Sequence, residues 1–208
     1  MSAINPEQLR LLKLSAERLS GKDYKKYLEL RALLTEQPPG YRSAFEPLFR
    51  SFFRMNRAHL GDSFLKAFFD HLFKLRTPIN GNTYKRIFSD LTKHKRKKGD
   101  VAIQFSFVSK LVAIKDESQP IIDKHVSDFF GISAPKTGSI QFRINGFIEN
   151  LNLLKSIYGA WKSVPSVKHL LDKIRNDKQE LSGTTDERIL DLLVWQVGRH
   201  KLWKDSTP

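Results

Sequence analysis

The chain predicts an all-α domain, and three observations carry that expectation. Apolar residues recur at the three- and four-residue spacing of a buried helix face along most of the sequence. Caps and breakers such as Asn5-Pro6, Pro38-Pro39-Gly40, Thr77-Pro78 and Gly131 cut that pattern into segments of ordinary helix length. Strand-like alternation is confined to one short stretch, where Val101, Ile103, Phe105 and Phe107 alternate with Ala102, Gln104 and Ser106; it reads as an extended lead-in with room for a short strand. The sum is about nine or ten helices. A chain of 208 residues is long enough to bury a substantial core beneath them.

Taken in order, Asn5 caps a first helix with Pro6 at its first position, and Leu9, Leu12, Leu14, Ala16 and Leu19 give it an apolar side until Gly21. A second helix is expected over residues 23–36, closed by Pro38-Pro39-Gly40. That break suggests an N-terminal helical pair over 1–39 and a main helical domain over 40–208, or one continuous domain over 1–208. Ser43 to Glu46 has the spacing of a capping box, and Phe45, Leu48, Phe49, Phe52 and Phe53 form an aromatic stripe read as core. Asp62-Ser63 opens a helix whose apolar face is Phe64, Leu65, Phe68, Phe69, Leu72 and Phe73. Asn80-Gly81-Asn82 reads as a turn, and Thr83 as the cap of a helix through Ile87 and Leu91.

Ser106 reads as the cap of a short, strongly apolar helix, and Asp123 as the cap of another that stops at Gly131. A long helix is expected over 139–161, a further one around Val167, Leu170, Leu171 and Ile174, and a last one opened by a capping box from Thr184 to Glu187. Residues 201–208 read as a loose tail.

Composition narrows the function classes. The absence of cysteine excludes disulfides, thiol nucleophiles and thiolate metal sites. The six histidines lack the spacing of a metal-binding pair, and neither a P-loop nor a dinucleotide fingerprint is present, so no metal and no cofactor is expected. The N-terminus lacks a signal-peptide pattern, and no apolar run reaches the ~20 residues of a membrane span, so a cytoplasmic protein is expected. The net charge of +14 is unevenly distributed: residues 41–115 hold 16 Lys and Arg against 5 Asp and Glu. Within that stretch Lys93, Lys95, Arg96, Lys97 and Lys98 form a run too repulsive to bury, read as an exposed loop or frayed helix end that contacts phosphates. DNA is the expected partner, with a nucleoid location following from it.

The stretch Phe107-Val108-Ser109-Lys110-Leu111, followed by Pro120-Ile121-Ile122-Asp123-Lys124-His125-Val126, puts a lysine and an aspartate at consecutive helix starts. Together with Arg188-Ile189-Leu190-Asp191-Leu192-Leu193-Val194-Trp195-Gln196 it resembles the helix-hairpin-helix DNA glycosylases, in particular the bacterial branch similar to 8-oxoguanine DNA glycosylase. The resemblance covers about half the chain. It implies that fold, base-excision repair of an oxidised purine, Lys110 as an amine nucleophile and Asp123 as its acid–base partner. The family's glycine hairpin before the lysine is replaced here by Ala102-Ile103-Gln104-Phe105-Ser106-Phe107, and the basic run just upstream is placed to take over its phosphate-holding role. Two other readings use the same residues: a nucleic-acid-binding module without catalysis, and a basic domain that binds an acidic protein.

Overall fold

The computed structural model describes residues 3–94 and 103–203, and these form ten α-helices with two short 3-10 turns and no extended strand. The helices are α1 (Pro6–Arg18), α2 (Gly21–Glu36), α3 (Tyr41–Phe52), α4 (Asp62–Lys74), α5 (Gly81–Leu91), α6 (Phe105–Lys115), α7 (Lys124–Phe130), α8 (Ile140–Lys162), α9 (Pro165–Asp177) and α10 (Asp186–His200). Two compact units emerge from the packing, one comprising Met1–Ser20, Glu117–Ala134 and Glu149–Pro208, the other Gly21–Asp116 and Pro135–Ile148.

The first unit is built on α10. Ile189, Leu190, Leu193, Val194 and Val197 are all inaccessible to solvent, which is the i, i+4 stripe expected of a helix covered on one broad face. Helix α7 packs on it closely, because Gly198 presents no side chain: a Cβ there would lie 2.6 Å from the Cβ of His125 and 2.8 Å from its carbonyl oxygen. Helix α1 covers another part of α10 with Leu11 and Leu12, and the buried Ser15 hydroxyl donates to the Leu193 carbonyl at 2.8 Å. Asn5 caps α1 as expected, in a reciprocal box with Gln8.

The second unit has an aromatic core. Phe45 and Phe49 of α3 and Phe64, Phe68 and Phe69 of α4 are buried, with the Phe49 ring 5.7 Å from Phe68 and 5.8 Å from Phe69. Phe88, Phe105 and Phe147 form a second ring cluster, which draws the start of α8 onto α5 and α6. Arg31 of α2 donates to the Ile114 carbonyl at 2.8 Å, satisfying one of the orphaned acceptors at the end of α6.

Several local expectations change. Residues 105 and 107, read as strand-like, lie in α6; residues 103 and 104 have no regular structure, and 101 and 102 lie outside the described residues. Gln104 precedes that helix, so Ser106 is inside the first turn rather than its cap. The box expected at Ser43 is absent because Gly40, left-handed at φ 75°, starts α3 at Tyr41. Asn80-Gly81-Asn82 is the beginning of α5 itself: Asn80 accepts from the N–H groups of Asn82 and Thr83, and Thr83 closes the box. The cap of α10 is Thr185, accepting from the Arg188 N–H at 3.3 Å, one residue later than expected.

The two N-terminal helices, expected as a pair within 1–39, are divided between the units: α1 lies on α10, whereas α2 lies on α3 and α6. In the expected loose tail, Leu202 is buried with Leu11 and Val197, and residues 204–208 lie outside the described residues.

Candidate functional site

Asp123 stands at the start of α7 as expected. Its Oδ1 accepts from the N–H groups of His125 at 3.0 Å and Val126 at 3.3 Å, and Gly131, left-handed at φ 65°, closes the helix. The extended stretch that leads into it is tied to the first turns of α10. Thr185 donates its N–H to the Glu117 carboxylate at 3.2 Å and its hydroxyl to the Glu117 carbonyl at 3.3 Å. Arg188 donates to the Gln119 carbonyl at 3.0 Å and to the Asp191 carboxylate at 2.7 Å, and Asp191 accepts from the Ile121 N–H at 2.9 Å. The Tyr158 hydroxyl completes the set, donating to Asp191 at 2.8 Å. The two motifs around Asp123 and Asp191, remote in sequence, are therefore one hydrogen-bonded construction.

Electrostatically this is a buried ion pair with two neutral donors. Arg188 and Asp191 are 4% and 3% exposed. Burial pushes the Asp191 carboxyl up to about 6, while the Arg188 charge, the Ile121 N–H and the Tyr158 hydroxyl pull it down. Burial also drives the Tyr158 phenol well above its ordinary range, with the Asp191 charge adding to the rise. None of these three residues was assigned a site role from sequence. Their signal was present in the charged residues at positions 188 and 191 of an otherwise apolar helix face.

Lys110 belongs to the other unit. It lies half-buried in the middle of α6, its Nζ 3.0 Å from the Ser106 hydroxyl one turn back and 5.7 and 5.8 Å from the ring centres of Phe53 and Phe107. Near the end of the same helix burial lowers the Lys115 pKa, and the charges of Arg76 and Arg31 lower it further. Lys93 is exposed, with its amine 3.3 Å from the Asp90 carboxylate, which also takes a 2.9 Å contact from His71. The hydrogen bond from His71 holds Asp90 below the usual carboxylate range. Lys95, Arg96, Lys97 and Lys98 lie outside the described residues.

Charge separates the two units more sharply than any single contact. The unit containing Lys110 holds 22 Lys and Arg against 9 Asp and Glu, a balance of +13. The unit containing Asp123 holds 14 against 13, a balance of +1. Among the described residues no group of three or more His, Asp or Glu is arranged to hold a metal ion, and no helix is long and apolar enough to cross a membrane. The class defined by these features is an all-α protein of two compact units, one strongly basic. Comparison with protein-family models, curated proteins and solved structures gave no match.

Proposed function

We propose that the chain binds DNA through its basic unit and excises an oxidised purine with Lys110 and Asp123, in the manner of the helix-hairpin-helix glycosylases that its motifs resemble. The observation that carries the binding half is the segregation of charge: nearly the whole excess of +14 lies in one unit, as a polyanion footprint requires. A general solubility function would be served as well by charge spread over both units. The catalytic half rests on the motif resemblance and on the local setting of the two residues. Lys110 emerges half-buried beside aromatic rings, and Asp123 caps a helix whose approach is tied down by three residues of the start of α10, Thr185, Arg188 and Asp191.

The chemistry requires a base flipped out of the stack, since C1′ of a paired nucleotide is inaccessible. The Lys110 amine, deprotonated, attacks C1′ as the bond to the base breaks and the base departs with that electron pair and a proton. Loss of the amine proton and opening of the sugar leave a Schiff base, which borohydride reduces to a stable link. Asp123 takes and returns the protons and offsets positive charge on the sugar.

The test is incubation with a panel of lesion-containing duplexes under borohydride. Wild-type protein is expected to form a covalent adduct, and Lys110→Gln to lose it while keeping its affinity for DNA. Asp123→Asn keeps an N-cap acceptor and is expected to stay folded yet lose excision. Salt-sensitive DNA binding without excision of any lesion would leave the non-catalytic binding module. Absence of salt-sensitive DNA binding would overturn the nucleic-acid reading altogether.

A further inference from the structure

Three large hydrophobic side chains are strongly exposed among the described residues, and two of them lie two residues apart at the start of α8: Ile140 at 48% and Phe142 at 60%. The segment that carries them, Pro135–Ile148, belongs to the basic unit and contains Lys136 and Arg143 but no acidic residue. An exposed aromatic ring on a segment that carries cations and no carboxylates has the chemistry of a surface on which nucleobases stack.

The ring also rests on one side against its own loop. Gly138 adopts φ +94°, and a Cβ on it would lie 2.8 Å from Cδ1 of Phe142; the ring is therefore folded against the loop that precedes it. Ser139 caps the helix by accepting from the Phe142 N–H at 3.1 Å. The next residue, Arg143, donates to the Pro135 carbonyl at 3.1 Å, with its guanidinium 5.9 Å from the Phe105 ring centre. Pro135 itself packs against Gly146, where a Cβ would come within 2.6 Å of the proline ring. One part of Phe142 is braced by its own loop while the rest faces solvent.

We propose that Phe142 is a stacking platform for an unpaired base of single-stranded or locally opened DNA. The inference rests on the reading that the basic unit binds DNA, and it adds a preference for unpaired nucleotides that charge alone does not supply.

The experiment compares a dye-labelled oligothymidylate with a duplex of equal length, by fluorescence anisotropy over a series of salt concentrations. A single-stranded oligonucleotide carrying 2-aminopurine reports stacking directly. Phe142→Ala is expected to weaken single-strand binding by about five- to a hundredfold, to leave the slope of log K against log salt unchanged, and to lose 2-aminopurine quenching. Phe142→Trp should retain all three properties. Gly138→Ala, which pushes a methyl group into the ring, should reduce single-strand binding although Phe142 is still present. Thermal unfolding of each variant separates these losses from misfolding.

Wild-type protein that binds neither DNA would overturn the underlying reading and this inference together. Wild-type binding that Phe142→Ala leaves untouched, or weakens equally for duplex and single strand, would overturn the platform alone. So would a dimer of the wild type that Phe142→Ala converts to monomer with DNA binding intact, since the face would then belong to a second copy of this chain.

Discussion

Replacing Arg188 with Met is expected to destabilise the protein, increasingly so as pH rises. The variant leaves the Asp191 carboxylate with the Ile121 N–H at 2.9 Å and the Tyr158 hydroxyl at 2.8 Å, both neutral donors, and removes its counter-charge. Wild-type Asp191 already titrates at about 6, because burial outweighs the pull of Arg188. An acid raised above its unfolded value of about 3.9 adds stability that is complete below that value and is lost as pH climbs through the folded pKa. Without Arg188 the folded pKa moves higher, so the loss continues past the wild-type midpoint at about 1.4 kcal/mol per pH unit.

A second contribution does not depend on pH. The Gln119 carbonyl loses its 3.0 Å donor in a buried place, at a cost of about 1–3 kcal/mol. The difference from wild type is therefore expected to be roughly 1–3 kcal/mol near pH 5 and roughly 3–6 kcal/mol near pH 8. Urea unfolding followed by far-UV circular dichroism across that range reads it directly. A difference that stays constant between those pH values would refute the account of a buried carboxylate left without its charge partner. Removing both charges in Arg188→Met with Asp191→Leu is expected to abolish the pH dependence of the loss, while the orphaned Gln119 carbonyl, Ile121 N–H and Tyr158 hydroxyl keep the variant less stable than wild type at every pH.

Other substitutions test the packing and the charge. Gly198→Ala drives a methyl group into the His125 backbone, where no flexible side chain can yield, and a thermal midpoint equal to wild type would contradict the close approach of α10 and α7. Asn5→Ala removes the cap of α1 and should cost about 1 kcal/mol in the same urea experiment, with Asn5→Ser recovering most of it; equal losses in both variants would point away from capping. Changing Lys95, Arg96, Lys97 and Lys98 together to Ser should reduce DNA affinity across sequences and flatten its salt dependence by about one unit of slope for every phosphate that is no longer neutralised. An unaltered slope would remove that run from the DNA-binding surface.

What was legible in the sequence was local chemistry. Asn5, Asp123 and Gly131 act where their side chains or backbone freedom said they would, because a cap is decided within three or four residues. The misreading of residues 105–107 as strand-like has a specific cause. Helix α6 is buried on nearly every side at Val108, Ser109, Leu111, Val112, Ala113 and Ile114, so it has no polar face to reveal its phase, and the phenylalanines before it mimic alternation.

Long-range pairing was the other hidden part. Arg188 and Asp191 stand out as charges on an apolar helix, but their partners in the 117–121 stretch lie about seventy positions away, a span no local pattern encodes. The destination of α1 is likewise set by α10, which Ser15 meets across 178 positions of chain.

The chain passes from one unit to the other four times, after residues 20, 116, 134 and 148, the last of these within α8. Neither unit is therefore a module in the sense used by recombination or by protein engineers. A transplant of the basic unit would need two separate inserts, one of them ending in mid-helix, and a fragment started at residue 40 would strip α1 from the helix it covers. New specificity in such a protein is reached by substitution and loop growth on an undivided chain, and the exchange of whole parts is closed to it.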